Sequence, residues 1–370
     1  MTKISRTTDM TQGSEMRHII MFSLPLLAGN LLQQTYNIVD TMVVGRYLGD
    51  DALAAVGATG SITYLFYTLC IGLSVGAGII VAQYFGAGRQ KSLRSAVFNS
   101  ALVTAIFGIV ISLLSVPAAK PILELLKVPD KLIGDSVAYM QIACGGTIAV
   151  AAYNWINAIM RALGDSKTPL IFLGAASLLN ALLDLLFVVV FKFGIAGAAW
   201  ATVLTQALSA ISCIVYCFAV SGEIKLTADD LHADKDMMSR CVKTGVPIAI
   251  QNGLISVSMV ALQRVTNGFG ETVMAAYTVS MRIEQFVQQP FSSLNAAVST
   301  FTGQNIGAGK EKRAQKGLAC AIKISVIFSA VVLVLFTLFG GAITSWFVKG
   351  KTVISISAKA LIITSLFYWS

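Results

Sequence analysis

Apolar residues run through this chain in long, nearly continuous stretches separated by short polar turns. Ten stretches stand out, at 19–45, 52–84, 93–115, 134–161, 168–191, 195–220, 240–266, 272–304, 314–340 and 352–370. Crossing the hydrocarbon core of a bilayer takes about 20 mostly apolar residues in a helix. Continuous runs of this length predict helices, because a membrane barrel shows short strands of alternating polarity instead. Polar residues (Thr2, Lys3, Arg6, Asp9, Gln12, Glu15, Arg17) precede the first stretch. That stretch is too long for a signal-peptide core and has no clean small-residue cleavage site, which predicts an uncleaved first helix.

The pattern occurs twice. Gly49-Asp50-Asp51-Ala52-Leu53-Ala54-Ala55 returns as Gly270-Glu271-Thr272-Val273-Met274-Ala275-Ala276, and Ala82-Gln83-Tyr84-Phe85-Gly86-Ala87-Gly88-Arg89 returns as Gly303-Gln304-Asn305-Ile306-Gly307-Ala308-Gly309-Lys310, both at an offset of 221 residues. Six helices per half is an even number, so both halves enter from one side and the repeats are parallel, an architecture common among secondary transporters. The expected fold class is an all-α polytopic membrane protein of two parallel-repeat six-helix bundles. The expected domains are a six-helix bundle at 1–220, a polar linker at 221–239 and an incomplete second bundle at 240–370. About ten helices are expected here. The offset leaves the second half short by roughly seventy residues, as in a truncated copy of a twelve-helix protein.

Composition agrees with the pattern. The chain is 56% hydrophobic and 12% charged, with mean hydropathy +0.76; a soluble domain is nearer 25% charged. The formal charge of +9 invites a nucleic-acid reading, but its distribution excludes one. Most basic residues fall on the side of the N-terminus, among them Arg17, Arg89, Lys91, Arg94, Lys167, Arg240, Lys243, Lys310, Lys312 and Arg313. Fewer lie opposite, such as Arg46, Lys120, Lys131, Lys192 and Lys351. This bias predicts a cytoplasmic N-terminus in the inner (plasma) membrane. The six cysteines lie in or beside apolar segments without metal-ligand spacing. No Walker loop follows a strand, and no nucleophile–base pair or metal cluster lies at membrane depth. Transport rather than enzymatic chemistry is expected, with no resident cofactor.

Ionisable residues inside a membrane helix are expensive and usually functional. Gln33, Asn37 and Asp40 share one face of the first helix, with Tyr36 beside them. Ser177, Asn180 and Asp184 share a face of the fifth. At 1.5 Å per residue, Asp40 lies about 30 Å and Asp184 about 24 Å along their helices, and Thr202 roughly 10 Å below the outer surface of the sixth. Asp40, Asn180, Asp184 and Thr202 therefore share a depth. Their oxygens suit a hard cation; alternatively the two acids share a proton. The duller reading makes Asp40 and Asp184 interfacial acids and Asn180 a bridge between helices. Asn154 and Asn157 share a face of the fourth helix. Glu284 and Gln288, with Arg282, occur only in the second half, where they either line a cavity or tie helices together. Pro25 and Pro247 interrupt matching helices, as hinges or as tolerated membrane prolines.

The chain resembles the MATE family, the multidrug and toxic compound extrusion antiporters. The segments that carry the resemblance are Asn37-Ile38-Val39-Asp40-Thr41-Met42-Val43-Val44-Gly45, Arg161-Ala162-Leu163-Gly164-Asp165-Ser166-Lys167-Thr168-Pro169, Asn180-Ala181-Leu182-Leu183-Asp184, Gly194-Ile195-Ala196-Gly197-Ala198-Ala199-Trp200-Ala201-Thr202 and the two Gln-x-x-Gly-Ala-Gly turns. The resemblance implies two six-helix bundles around a central cavity and export of organic cations or drugs against inward Na⁺ or H⁺. In the DNA-damage-inducible-like prokaryotic branch it implies a first-bundle cation site at Asp40, Asn180, Asp184 and Thr202, with Na⁺ as the metal if sodium couples, and a kink at Pro25 that accompanies protonation. Gln33, Tyr36, Asn37, Asn154, Asn157, Glu284 and Gln288 are expected at the substrate cavity. The expected partners are small organic cations and the lipid bilayer, with the protein a monomer. Rival readings are a lipid-linked oligosaccharide flippase of the same superfamily, which would need many more basic cavity residues, and an inactive remnant.

Overall fold

The structure, a computed structural model, describes residues 7–220, 224–227 and 230–368. Of the expected linker, 221–223, 228 and 229 lie outside the described residues, as do 369 and 370 of the tenth apolar stretch. The described residues form α1 (Glu15–Leu48), α2 (Asp50–Gly86), α3 (Gln90–Leu125), α4 (Asp130–Gly145), α5 (Thr147–Ala162), α6 (Lys167–Asp184), a π-helical turn (Leu185–Val190), α7 (Gly194–Val220), α8 (Lys235–Asn267), α9 (Glu271–Gly307), α10 (Glu311–Ser345) and α11 (Lys351–Ser365). The protein is an all-α polytopic membrane protein, and no strand occurs among the described residues. Each apolar stretch of the sequence became one helix, except the fourth and fifth.

Two departures shape the bundle. The fourth stretch breaks into α4 and α5, bent by 42°. The break falls at Gly145-Gly146, where a Cβ on Gly146 would overlap the side chain of Val203 on α7. The Thr147 hydroxyl donates to Cys144 O at 2.7 Å across the bend. The fifth stretch widens from α to π geometry directly after Asp184. π turns inside helices occur frequently at functional sites.

Among the described residues, six helices are individually long and apolar enough to cross a membrane, and the bent pair makes a seventh. α1 and α9 reach spanning length but carry the polar clusters around Asn37 and Gln288, and α11 is 15 residues long. Leu113, Leu114, Leu178, Leu182 and Leu338 stand exposed on the outer surface, as lipid-facing side chains should.

The repeat is visible in the turns. Gly49 (φ 85°) and Gly270 (φ 88°) open α2 and α9, while Gly88 (φ 66°) and Gly309 (φ 72°) close them. All four take the left-handed conformation that glycine adopts without steric cost. Between the halves, α2 lies along α8 and α9, and α1 lies along α9. Small residues let these backbones touch. A Cβ on Gly86 would overlap the Gln304 carbonyl, and one on Gly307 would overlap the Gln83 carbonyl, so the two contacts mirror each other.

The same end of the molecule holds two reciprocal clasps. Residues before α1 dock on the second half. Gln304 accepts from Met10 N at 2.9 Å and donates to Ala162 O at 2.9 Å. Lys310 donates to Thr11 O at 2.9 Å, and Arg313 donates to Met10 O at 3.2 Å and pairs with Glu15 at 3.1 Å. Met10 is buried with Phe22, Leu294 and Phe301. Residues before α8 dock on the first half. Asn99 accepts from Asp234 N at 2.8 Å and donates to His232 O at 3.1 Å, and Ile224 and Met237 enter the core of that half.

Candidate functional site

The site starts from how α1 meets α6. Gly29 leaves room for Leu170 and Leu173 of α6, at 3.6 and 3.4 Å from an ideal Cβ. With the two helices aligned, the polar face of α1 reaches the last turn of α6. The Asp40 and Asp184 carboxyls come within hydrogen-bonding reach of each other. The Tyr36 hydroxyl lies near Thr202 on α7. Tyr139 of α4 lies near both acids and near Tyr36.

Asp184 is 0% and Asn180 1% exposed, while Asp40 is half-buried. Burial this deep demands partners, because a polar atom shut away from water without one costs roughly 1–3 kcal/mol, and a charged one more. Yet both Asp184 carboxyl oxygens, both polar atoms of the Asn180 amide and Asp40 Oδ1 accept or donate no hydrogen bond to the donors and acceptors around them. Two carboxyls so placed repel unless a proton is shared between them or a cation lies against them. The carboxylates of Asp40 and Asp184, the Asn180 amide oxygen and the Thr202 hydroxyl are oxygen donors of the type that hard cations take. No group of three or more His, Cys, Asp or Glu side chains stands together among the described residues.

The remaining sequence candidates spread more widely. Gln33 and Asn37 are exposed on α1, and Gln288 and Arg282 on α9. Tyr36 faces the acid pair. Asn154 donates to Val150 O of its own helix at 2.8 Å. Asn157 is buried, within hydrogen-bonding reach of Tyr153. Glu284 lies near Thr364 and Tyr368 at the end of α11, whose hydroxyls are 3.4 Å apart, and Tyr368 packs against Phe291 with ring centroids 6.1 Å apart. Pro25 lies within α1, which continues unbroken through it. A cavity of about 730 Å³ runs along α8 past Pro247, Gln251 and Ser258 and touches neither acid. Sequence reasoning missed Tyr139, which sits in an ordinary apolar run. It also missed the π turn, which has no glycine or proline to announce it.

A polytopic helical fold with an internal repeat and buried, unpartnered acids is the architecture of a membrane transporter. The MatE family model matches residues 25–186 and 247–370, and the chain belongs to that family. It is 31% identical over 307 residues to the probable multidrug resistance protein YpnP of Bacillus subtilis (strain 168), covering 82% of this chain and 68% of that protein. It is 31% identical over 365 residues to the probable multidrug resistance protein YoeA of the same strain, covering 97% of this chain and 79% of that protein. An FAD transporter of Shewanella oneidensis is 24% identical over 341 residues, covering 90% of this chain and 74% of that protein. Among solved structures, an outward-facing multidrug resistance MATE transporter superposes with TM-score 0.90 at 23% identity, over 98% of this chain and 82% of that one.

Proposed function

We propose that this transporter exports organic cations in exchange for inward Na⁺ or H⁺ by alternating access, as a monomer in the inner membrane with its N-terminus in the cytoplasm. The observation that carries the reading is the unpartnered Asp40–Asp184–Asn180 group, a buried anionic site that needs a positive visitor. Two relatives named as probable multidrug resistance proteins support the substrate class. The bias of basic residues toward the N-terminal side supports the orientation.

Coupling follows from differential affinity. An ion shifts the balance between two conformations only as far as it binds one better than the other. Ion held between the two acids ties α1 to α6. Its departure leaves like charges facing each other and pushes the helices apart. A membrane potential of ~100 mV supplies about 2.3 kcal/mol for each net charge moved. The test is drug transport by the purified protein in proteoliposomes, with Na⁺ and pH gradients imposed separately. The account expects one gradient to drive accumulation and its collapse to stop it. Accumulation that ignores both gradients refutes ion coupling.

A further inference from the structure

We propose that Asn157, Thr205, Gln206 and Ser209 line a hydrated internal chamber, through which the coupling ion passes between the Asp40–Asp184 pair and the side of the membrane that holds the N-terminus. The inference rests on the ion-coupled reading above.

The chamber starts at the acid pair. Tyr36, beside Thr202, lies close enough to Tyr153 of α5 for the two to interact electrostatically, and Tyr153 in turn lies near Asn157. α5 and α7 run side by side and are pinned at two heights. Gly146, at the head of α5, meets Val203 of α7, and Met160 Sδ lies 3.2 Å from Cys213 Sγ further down. Thr205 and Ser209 repeat at the four-residue interval of Cys213, so they share the face that meets α5. Their height falls between the two pins, level with Tyr153 and Asn157.

Asn157, Thr205 and Ser209 are buried and Gln206 is half-buried. Asn157 and Thr205 are each 5% exposed and Ser209 is 7% exposed. Asn157 Oδ1, Thr205 Oγ1, Gln206 Oε1 and Ser209 Oγ have no hydrogen-bond partner in the protein. One such atom is ordinary; four on two facing helices directly beneath another orphaned group are not. Internal water needs a polar cavity and two to four partners per molecule, and these side chains supply them. Their oxygens are neutral. They ease the passage of a small hydrated cation without holding it as the carboxylates do. For a proton, each hop passes one H⁺ to the next water, which releases another on its far side. The carboxylate is regenerated at the acid pair and the final proton joins bulk water. Arg161, within electrostatic range of Tyr153, marks the lower end of α5. Its positive charge keeps a cation from resting there, so the acids remain the place where the ion dwells.

The test records ion currents across proteoliposomes after a Na⁺ or pH jump, without drug, alongside equilibrium binding of the same ion. In the double variant Thr205→Val and Ser209→Ala, ion binding should stay within twofold of wild type while the current slows at least tenfold. An unchanged current overturns the chamber. So does a parallel loss of binding, which would make these residues part of the binding site. If the double variant fails to fold, Ser209→Cys gives a second reading. A water-borne thiol reagent should label it above the background of the native cysteines, and absence of labelling overturns the proposal. Asp184→Asn separates the two readings: full ion binding in that variant defeats the ion-coupled site, while Ser209→Cys labelling still reports on the chamber.

Discussion

At the residue scale, the proposed cation site is a contest between burial and charge. The Asp184 carboxyl is fully buried and no neighbouring donor satisfies it, so its free energy depends on what visits. Asn180 and Thr202 supply neutral oxygens, which should tune affinity without creating it. Asn180→Leu and Thr202→Val should each weaken ion binding about tenfold, or ~1.4 kcal/mol, leaving drug binding within twofold. Isothermal titration of the ion against the purified variants checks this, and wild-type affinity in both would remove the two residues from the site. A carboxylate outside the membrane shows the opposite condition. Asp230 accepts from Thr227 N at 2.8 Å and from its hydroxyl at 2.7 Å, with Arg94 at 3.7 Å. Those hydrogen bonds from Thr227, helped by Arg94, hold the Asp230 carboxyl below the usual carboxylate range. A depressed folded value means that its contribution is present above the unfolded pKa and is lost as pH falls through the folded one. Limited proteolysis of the linker should therefore accelerate as pH falls below about 4, and Asp230→Asn should cleave readily at neutral pH.

At the scale of the element, the sequence told most of the story where hydrophobic periodicity and length coincide. All ten apolar stretches became helices because continuous apolar length has one outcome in a membrane. What the sequence hid was local geometry. The break at Gly146 has a visible glycine pair, but whether such a pair bends a helix depends on the close approach of Val203, a tertiary fact. The π turn after Asp184 comes from Leu185–Val190, ordinary strand-forming and helix-forming residues alike. Of the candidate site, helical spacing and depth put Asp40, Asn180, Asp184 and Thr202 forward together, and the structure brings the two acids within reach of each other. Tyr139 could not be put forward, because its nearness to the acids depends on the α4–α5 bend. The contact of α2 with α9 also carries a prediction. Gly86→Ala places a Cβ against the Gln304 carbonyl and should cost more than about 2 kcal/mol through backbone displacement. Gly174→Ala, with open space around it, should be neutral or slightly stabilising. Melting temperatures in detergent compare the two, and equal values would mean that the crossing is softer than drawn.

At the scale of the whole molecule, each half reaches across to close the other at one end. The segment before α1 lies on the second half, and the segment before α8 lies on the first. Arg313 holds three backbone or side-chain acceptors in the N-terminal segment and stacks over Phe301 at 5.4 Å. Hydrogen bonds to a charged group contribute about 1.5–3 kcal/mol each when buried, less here because solvent reaches the guanidinium. Opening this end must undo that set. Arg313→Ala should raise the accessibility of that end severalfold to a thiol reagent placed at a cysteine on α9, with no change in ion affinity; unchanged accessibility would mean that the clasp does not limit opening.

In the proposed mechanism the two buried acids couple ion and drug movement. Its most direct measurement is ion-gradient-driven drug transport by Asp184→Asn beside the wild-type protein, each in proteoliposomes at matched protein content. The account predicts that the variant inserts and binds drug but loses gradient-driven transport by at least a hundredfold. Transport at the wild-type rate, still dependent on the ion gradient, would contradict it.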